Sequence, residues 1–293
     1  MNNEFWTLRR KRCPNRVNTT LRDLAETFPG NAFSQAPACP ICASPGRVRH
    51  SAFNTHPEKA YAFDLRICPE CSHGWIDPMP SQQLLNYLYS RSSPSVIGEW
   101  GPTTLTFPEH VCAQRELARV PMRYFELGVG RGHLYQRFLA SGWQCTGVDP
   151  GAWASVNPNV FKDLSEIPSG MEADLLVAFD VLEHLSDPVA ALRTLRKIAA
   201  PNARLYCAMP NRKSLRAIYH RETWRMLRPL GHVNYFSRKS VKRAMQSAGF
   251  AVELLKATDL WQVRIPRSFG HLIQDLVELL SLGDQWLVVA HRY

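Results

Sequence analysis

No stretch of the chain approaches the roughly 20 consecutive apolar residues that a bilayer-spanning helix needs, so a helical membrane protein is excluded from the reading. The basic start, Arg9-Arg10-Lys11-Arg12, is followed by no apolar core of the kind a secretory signal carries. A basic start also suits an organelle address; the reading taken here is a cytoplasmic protein. Acidic residues are nearly missing from one region. Between Arg204 and Arg243, eleven lysines and arginines meet one acid, Glu222. Elsewhere 24 basic residues balance 24 acidic ones, so this region carries the whole net charge of +10. Such a local excess points to an anionic partner near one face, or to a solvated basic helix. At 45% hydrophobic and 20% charged residues, the composition excludes a disordered chain. A length of 293 residues allows one full α/β domain and a smaller module.

Eight cysteines are present, and four form two tight pairs 25 residues apart, Cys39-x-x-Cys42 and Cys68-x-x-Cys71. In a cytosolic chain such pairs read as metal ligands rather than disulfides. Two hairpin knuckles can set four thiolates tetrahedrally around one Zn²⁺. A segment spanning residues 37–80 has too little core to hold itself, so a metal staple makes physical sense. Four thiolates close the coordination shell, which argues for a structural ion; a redox-active pair is the competing reading. His50, His56 and His73 then read as surface or packing residues.

Residues 122–132 read Met-Arg-Tyr-Phe-Glu-Leu-Gly-Val-Gly-Arg-Gly, a short apolar strand ending in Gly128, Gly130 and Gly132. A helical pattern starts at His133. Strand, glycine loop and helix bring backbone close to a nucleotide-like ligand, because glycine has no Cβ to block the approach. A dinucleotide fingerprint needs a small residue at the last position of G-x-G-x-x-G, where this chain has His133. Asp149, 19 residues after Gly130, ends the next strand, where an acid can bond ribose hydroxyls.

The stretch Glu126-x-Gly128-x-Gly130-x-Gly132 resembles motif I of the class I S-adenosylmethionine (SAM)-dependent methyltransferases. Asp180-Val181-Leu182-Glu183-His184-Leu185-Ser186-Asp187-Pro188 resembles the passage after strand four in small-molecule members. Gly231-His232-Val233-Asn234-Tyr235-Phe236-Ser237 resembles a later passage of the same enzymes. The Cys68-x-x-Cys71 pair, followed by an aromatic, a proline-rich turn and a helix over 82–89, resembles bacterial members with a zinc ribbon ahead of the catalytic domain. The resemblance implies an α/β fold: a seven-stranded Rossmann-like sheet with helices on both faces, preceded by the ribbon. It also implies that strand seven inserts antiparallel between strands five and six. The expected organisation is an N-terminal arm (1–36), a ribbon (37–80), a helical linker or lid (81–119) and the methyltransferase domain (120–293). Strand and helix signals alternate along that last segment, as a parallel sheet requires. They end in an amphipathic helix over 267–280 and a closing strand over 286–290.

On this reading SAM is the cofactor, held by Glu126, Gly128, Gly130, Gly132 and Asp149. Asp163 and Leu164 stand at the adenine edge, and Phe179 and Asp180 border the ligand. The reaction is an SN2 transfer of the sulfonium methyl, for which the protein aligns the reactants and removes any proton. His184 and His232 are the candidate bases and Tyr235 a group orienting the acceptor. Each histidine also fits a structural role, orienting a helix start or holding a loop. The arginine-rich segment suggests an anionic small-molecule acceptor, such as a nucleotide sugar, a glycan or a natural-product intermediate. Two alternatives stand beside it. One is a nucleic-acid methyltransferase or binding protein using the ribbon and the basic segment; the other is a non-catalytic SAM-binding module.

Overall fold

A computed structural model describes residues 32–53, 63–92, 105–151, 157–258 and 281–292. Five strands form the parallel heart of the main sheet: β6 (Arg123–Leu127), β7 (Gln144–Val148), β8 (Val160–Phe161), β9 (Ala173–Phe179) and β10 (Ala199–Pro210). They carry apolar side chains to both faces because helices cover both faces. In β9, Leu175 and Val177 enter one apolar cluster while Leu176 and Ala178 enter the other, the period-two alternation of a strand. The last two strands are β12 (Phe250–Thr258) and β13 (Gln285–Arg292), and the order is β8-β7-β6-β9-β10-β13-β12. β13 runs antiparallel to both β10 and β12. The seven-stranded sheet and its antiparallel last strand, set between β10 and β12, are as the resemblance implied.

Helix α3 (His133–Ala140) follows the glycine loop, and α4 (Pro188–Ile198) follows β9. Asp187 caps α4 by accepting from the Ala190 N–H at 2.9 Å, and Pro188 fills the first turn, where a missing N–H costs nothing. Helix α6 (Arg238–Ser247) starts on a capping box between Ser237 and Ser240. Two helices precede the sheet, α1 (Gln82–Ser92) and α2 (Phe107–Glu116). Helix α2 is anchored by Glu116, which is fully buried and accepts from the Tyr206 hydroxyl at 2.6 Å, Arg119 at 2.7 Å and Arg204 at 3.1 Å. Burial pushes the Glu116 carboxyl upward, but the Tyr206 hydroxyl and the two guanidiniums outweigh it, so its pKa falls below the ordinary value. Glu116→Ala should therefore cost about 1–3 kcal/mol at pH 7, by orphaning the Tyr206 hydroxyl. A depressed carboxylate pKa stabilises the fold above the unfolded value of about 4.3 and stops doing so as pH falls through the folded value. The gap between the two proteins in urea unfolding should accordingly narrow as pH falls through the lowered Glu116 value, leaving the cost of the orphaned hydroxyl; a gap that does not narrow would disprove the ionic contribution.

The N-terminal lobe is built from β2 (Arg47–Phe53), β3 (Phe63–Ile67) and β4 (Gly74–Asp77), with a small ladder of β1 (Phe33–Ser34) and β5 (Met79–Pro80) alongside. Its sheet has a fourth strand, β11 (Asn234–Tyr235), which lies between α5 (Leu215–His220) and α6 in the chain. Asn234 pairs with Trp75 and Tyr235 with Gly74. The two lobes thus share a sheet and one continuous apolar cluster that joins Cys39, Cys68, Cys71 and Trp75 to Tyr235 and Trp286. The N-terminal arm through residue 31, His56, residues 93–104 of the expected linker or lid and the 267–280 helix lie outside the described residues.

Candidate active site

The ends of the parallel strands meet at the glycine loop. Gly128, Gly130 and Gly132 have φ of 79°, 55° and 71°, the left-handed region that glycine enters without penalty. Asp149, at the end of β7, ties the loop down: one carboxylate oxygen accepts from Gly130 N–H and the other from Gly151 N–H, each at 2.7 Å. Burial raises the Asp149 pKa against those two donors. A cavity of about 860 Å³ opens here, of a size that suits a cofactor together with a small acceptor. Gly128, Gly130, Asp149, Asp163, Leu164, Phe179, Asp180 and His184 all stand on its wall. Glu126 and Gly132 do not. Glu126 is buried beneath the loop, accepting from the Tyr124 hydroxyl at 2.7 Å, and Gly132 caps α3.

Asp180 directly follows β9 with φ of 53°, a strained value for a non-glycine residue. The amide of Gln285 in β13 holds its carboxylate at 2.6 Å, and burial raises its pKa to about 6. Across the cavity, Asp163 accepts from Ser165 through one oxygen and from the Asn86 amide at 2.9 Å through the other. Asn86 accepts from Gln82, and Gln82 accepts from the Ser186 N–H at 3.0 Å. One polar chain therefore runs from the β9 loop through α1 to the β8 edge. It closes the cavity with the helix placed in the linker or lid.

His184 lies on the wall beside Tyr89. Its Nδ1 faces the Gly231 carbonyl and the Tyr89 hydroxyl, and Tyr89 also donates to Gly231 O at 3.0 Å. A carbonyl only accepts, and Tyr89 donates to that same carbonyl, so we assign the proton to Nδ1 and the lone pair to Nε2. Burial lowers the His184 pKa to about 4, against the pull of the Gly231 and Asp180 carbonyls, and the ring is neutral at pH 7. His232 stands behind it, the two ring centroids 4.7 Å apart, with its own Nδ1 on the Met226 carbonyl at 2.8 Å. Burial, then the neighbouring His184, holds the His232 pKa well below the ordinary value. Tyr235 is buried and donates to the His232 carbonyl at 2.7 Å. Of the three candidate catalytic groups, His184 alone stands on the cavity wall, while His232 and Tyr235 back it.

The four paired cysteines also converge. Their sulfurs lie 3.6 Å (Cys39–Cys71), 3.5 Å (Cys42–Cys68) and 3.6 Å (Cys42–Cys71) apart. A tetrahedron of 2.3 Å Zn–S bonds has an edge of about 3.8 Å. Each pair sits on the same turn: Ile41 N–H points to Cys39 Sγ and Cys71 N–H to Cys68 Sγ, each at 3.4 Å, and the turns close at left-handed Ala43 and Ser72.

The sequence profile of a family described as "Methyltransferase domain" matches residues 108–255, half of the chain. The chain belongs to this family. It is a SAM-dependent methyltransferase. Among solved structures, it is similar to 1,6-didemethyltoxoflavin-N1-methyltransferase of Burkholderia thailandensis, at 14% identity and a TM-score of 0.52, covering 82% of this chain and 99% of that one. That structure holds 1,6-didemethyltoxoflavin and S-adenosylhomocysteine (SAH). The [4+2]-cyclase SpnF is similar at 16% identity and a TM-score of 0.50, covering 73% of this chain and 96% of that one. No curated protein sequence matches the chain significantly.

The methyltransferase's cavity includes residues that the sequence reading passed over: Gln82, Asn86 and Tyr89 of α1, and Arg131 and Lys162. The signal was present in α1. Positions 82, 86 and 89 lie one and two turns apart on a polar face opposite the buried Leu84. The arginine-rich segment, by contrast, supplies none of the described wall residues. Arg212 turns inward to the Ser72 carbonyl at 2.8 Å, and Arg216 pairs with Asp284.

Proposed function

We propose that the methyltransferase transfers the SAM methyl to a small-molecule acceptor bound in the cavity between the glycine loop and α1. One observation carries this reading: the wall runs unbroken from Gly128, Gly130 and Asp149 to His184 and Tyr89. The loop and Asp149 suit the SAM ribose and methionine ends, and Asp163, Leu164 and Phe179 the adenine side. Bound there, SAM supplies a methyl already activated by its sulfonium. The chain's own task is then to orient the acceptor, exclude water and act on it through the Nε2 lone pair of neutral His184. Asn86 and Gln82 shape the acceptor end, and Arg131 and Lys162 place positive charge on the wall for an anionic acceptor. The small heterocycle held by the Burkholderia enzyme supports the class of acceptor. The paired cysteines hold a structural Zn²⁺.

Calorimetric titration with SAM and SAH tests this. The wild-type protein should bind both, and Asp149→Asn should bind each at least about tenfold more weakly, as expected for loss of one charge-assisted hydrogen bond. No SAM or SAH binding by the wild type would overturn the assignment of this cavity.

A further inference from the structure

Glu183 is 1% exposed, and among the described residues neither of its carboxylate oxygens has a hydrogen-bond partner. Buried polar groups are satisfied almost without exception, and one that is not calls for a missing partner such as an ion. The groups around it are suited to a cation. His184 Nε2 lies 3.9 Å from Glu183 Oε1. The His232 ring crosses that of His184 at 65°. One donor atom from each of the three residues falls within 4.8 Å of the others.

The orientation of the two imidazoles is informative. Each gives its Nδ1 to a backbone carbonyl, His184 to Gly231 and His232 to Met226. Both therefore keep an Nε2 lone pair. An imidazole fixed through one nitrogen by a carbonyl is how metal-binding histidines are held. Two histidines and one carboxylate leave coordination positions open, unlike the four thiolates of the ribbon.

We propose that Glu183, His184 and His232 bind a divalent transition-metal ion beside the cavity, reached from it on the His184 side, and that the acceptor is an oxygen compound that coordinates it. This rests on the methyl-transfer reading, with His184 Nε2 holding the ion in place of taking the acceptor's proton itself. The ion lowers the pKa of the coordinated acceptor hydroxyl, whose proton passes to solvent. The resulting oxyanion forms a C–O bond to the SAM methyl as the C–S bond breaks. The electron pair of that bond stays on sulfur, giving the methyl ether and SAH.

The imidazole and carboxylate donors accept Mn²⁺ or Co²⁺, whereas the soft cysteine site favours zinc, so Mn²⁺ is a selective probe for the zinc-loaded protein. Electron paramagnetic resonance titration with SAH present should show one Mn²⁺ per chain. Binding should weaken at least about 30-fold in Glu183→Gln and in His232→Gln, with SAH affinity measured on the same samples to show that each variant is folded. Independently of any variant, Co²⁺ added to the wild type should give a d–d spectrum without a thiolate charge-transfer band. A wild-type protein that binds SAH but takes up neither Mn²⁺ nor Co²⁺ outside the cysteine site would overturn the metal site and leave the methyl-transfer reading standing. Undiminished Mn²⁺ binding in both variants would overturn it as well. Loss of SAH binding by the wild type would instead strike the underlying reading.

Discussion

Gly128→Ala should yield a protein with no measurable SAM binding and a melting temperature lowered by several degrees. Gly128 has φ of 79°, and a Cβ added there would stand 2.3 Å from Val181 Cγ2. The left-handed conformation costs about 1–2 kcal/mol for a residue with a Cβ. Forcing a methyl into packed surroundings costs about 1–3 kcal/mol more. At about 2–4 °C per kcal/mol for a domain of this size, the shift is readily seen. The effect on binding is the greater one, because Val181 follows Asp180 on the same cavity wall and has to move. Gly130→Ala separates the causes. Its φ is 55°, yet an added Cβ meets nothing nearer than 3.7 Å. That variant should bear the conformational cost and keep most of its affinity. Equal loss of SAM binding in the two variants would show that the Val181 contact is not what matters.

Removing zinc should lower the melting temperature of the whole chain by at least about 10 °C, in one transition. The zinc proposed for the four cysteines would staple more than the ribbon. Ser237 donates to the Cys71 carbonyl at 2.8 Å, Arg212 to the Ser72 carbonyl at 2.8 Å, and His73 bonds Asn234 at 2.9 Å. Asn234 in turn donates to the Leu185 carbonyl at 2.6 Å, and Val233 N–H to the Glu183 carbonyl at 2.8 Å. Structural zinc contributes about 10–16 kcal/mol in isolated fingers, and a third of that suffices for the predicted shift. Calorimetry before and after chelation, with zinc measured by elemental analysis, checks both parts. Absence of zinc in the native protein, or a separate early transition that leaves the main one in place, would count against the coupling.

The main sheet was legible because its strands are short apolar runs set between glycine, proline and helical patterns. The glycine loop and Asp149 were legible because backbone conformation limits which residues stand there. The strand pairing across lobes was not. β11 is two residues long, too short for any periodicity, and its partner lies some 160 residues away in the chain. The arginines between 204 and 243 show why charge in a sequence has no direction. Arg212 reads as a hand extended to an anion, yet it is half-buried against the ribbon, and desolvation lowers its pKa to about 10. Glu126 and His232 stand near the cavity without lining it, since a sequence places a residue on an element and not in a layer. His73, read as a packing residue, is packed against Trp75 and Phe236 with no exposure.

The strand that residues 234–235 lend to the ribbon's sheet bears on how such a protein can be rebuilt. The ribbon is not a cassette. A chimera that imports a foreign ribbon in place of residues 37–80 would inherit an edge with no matching partner, unless residues 232–237 came with it. Those same residues include His232, which stands behind His184 of the proposed acceptor wall. Under the proposed reading, exchange of the N-terminal lobe also disturbs the acceptor end of the cavity, and the two traits should travel together from one chain to another.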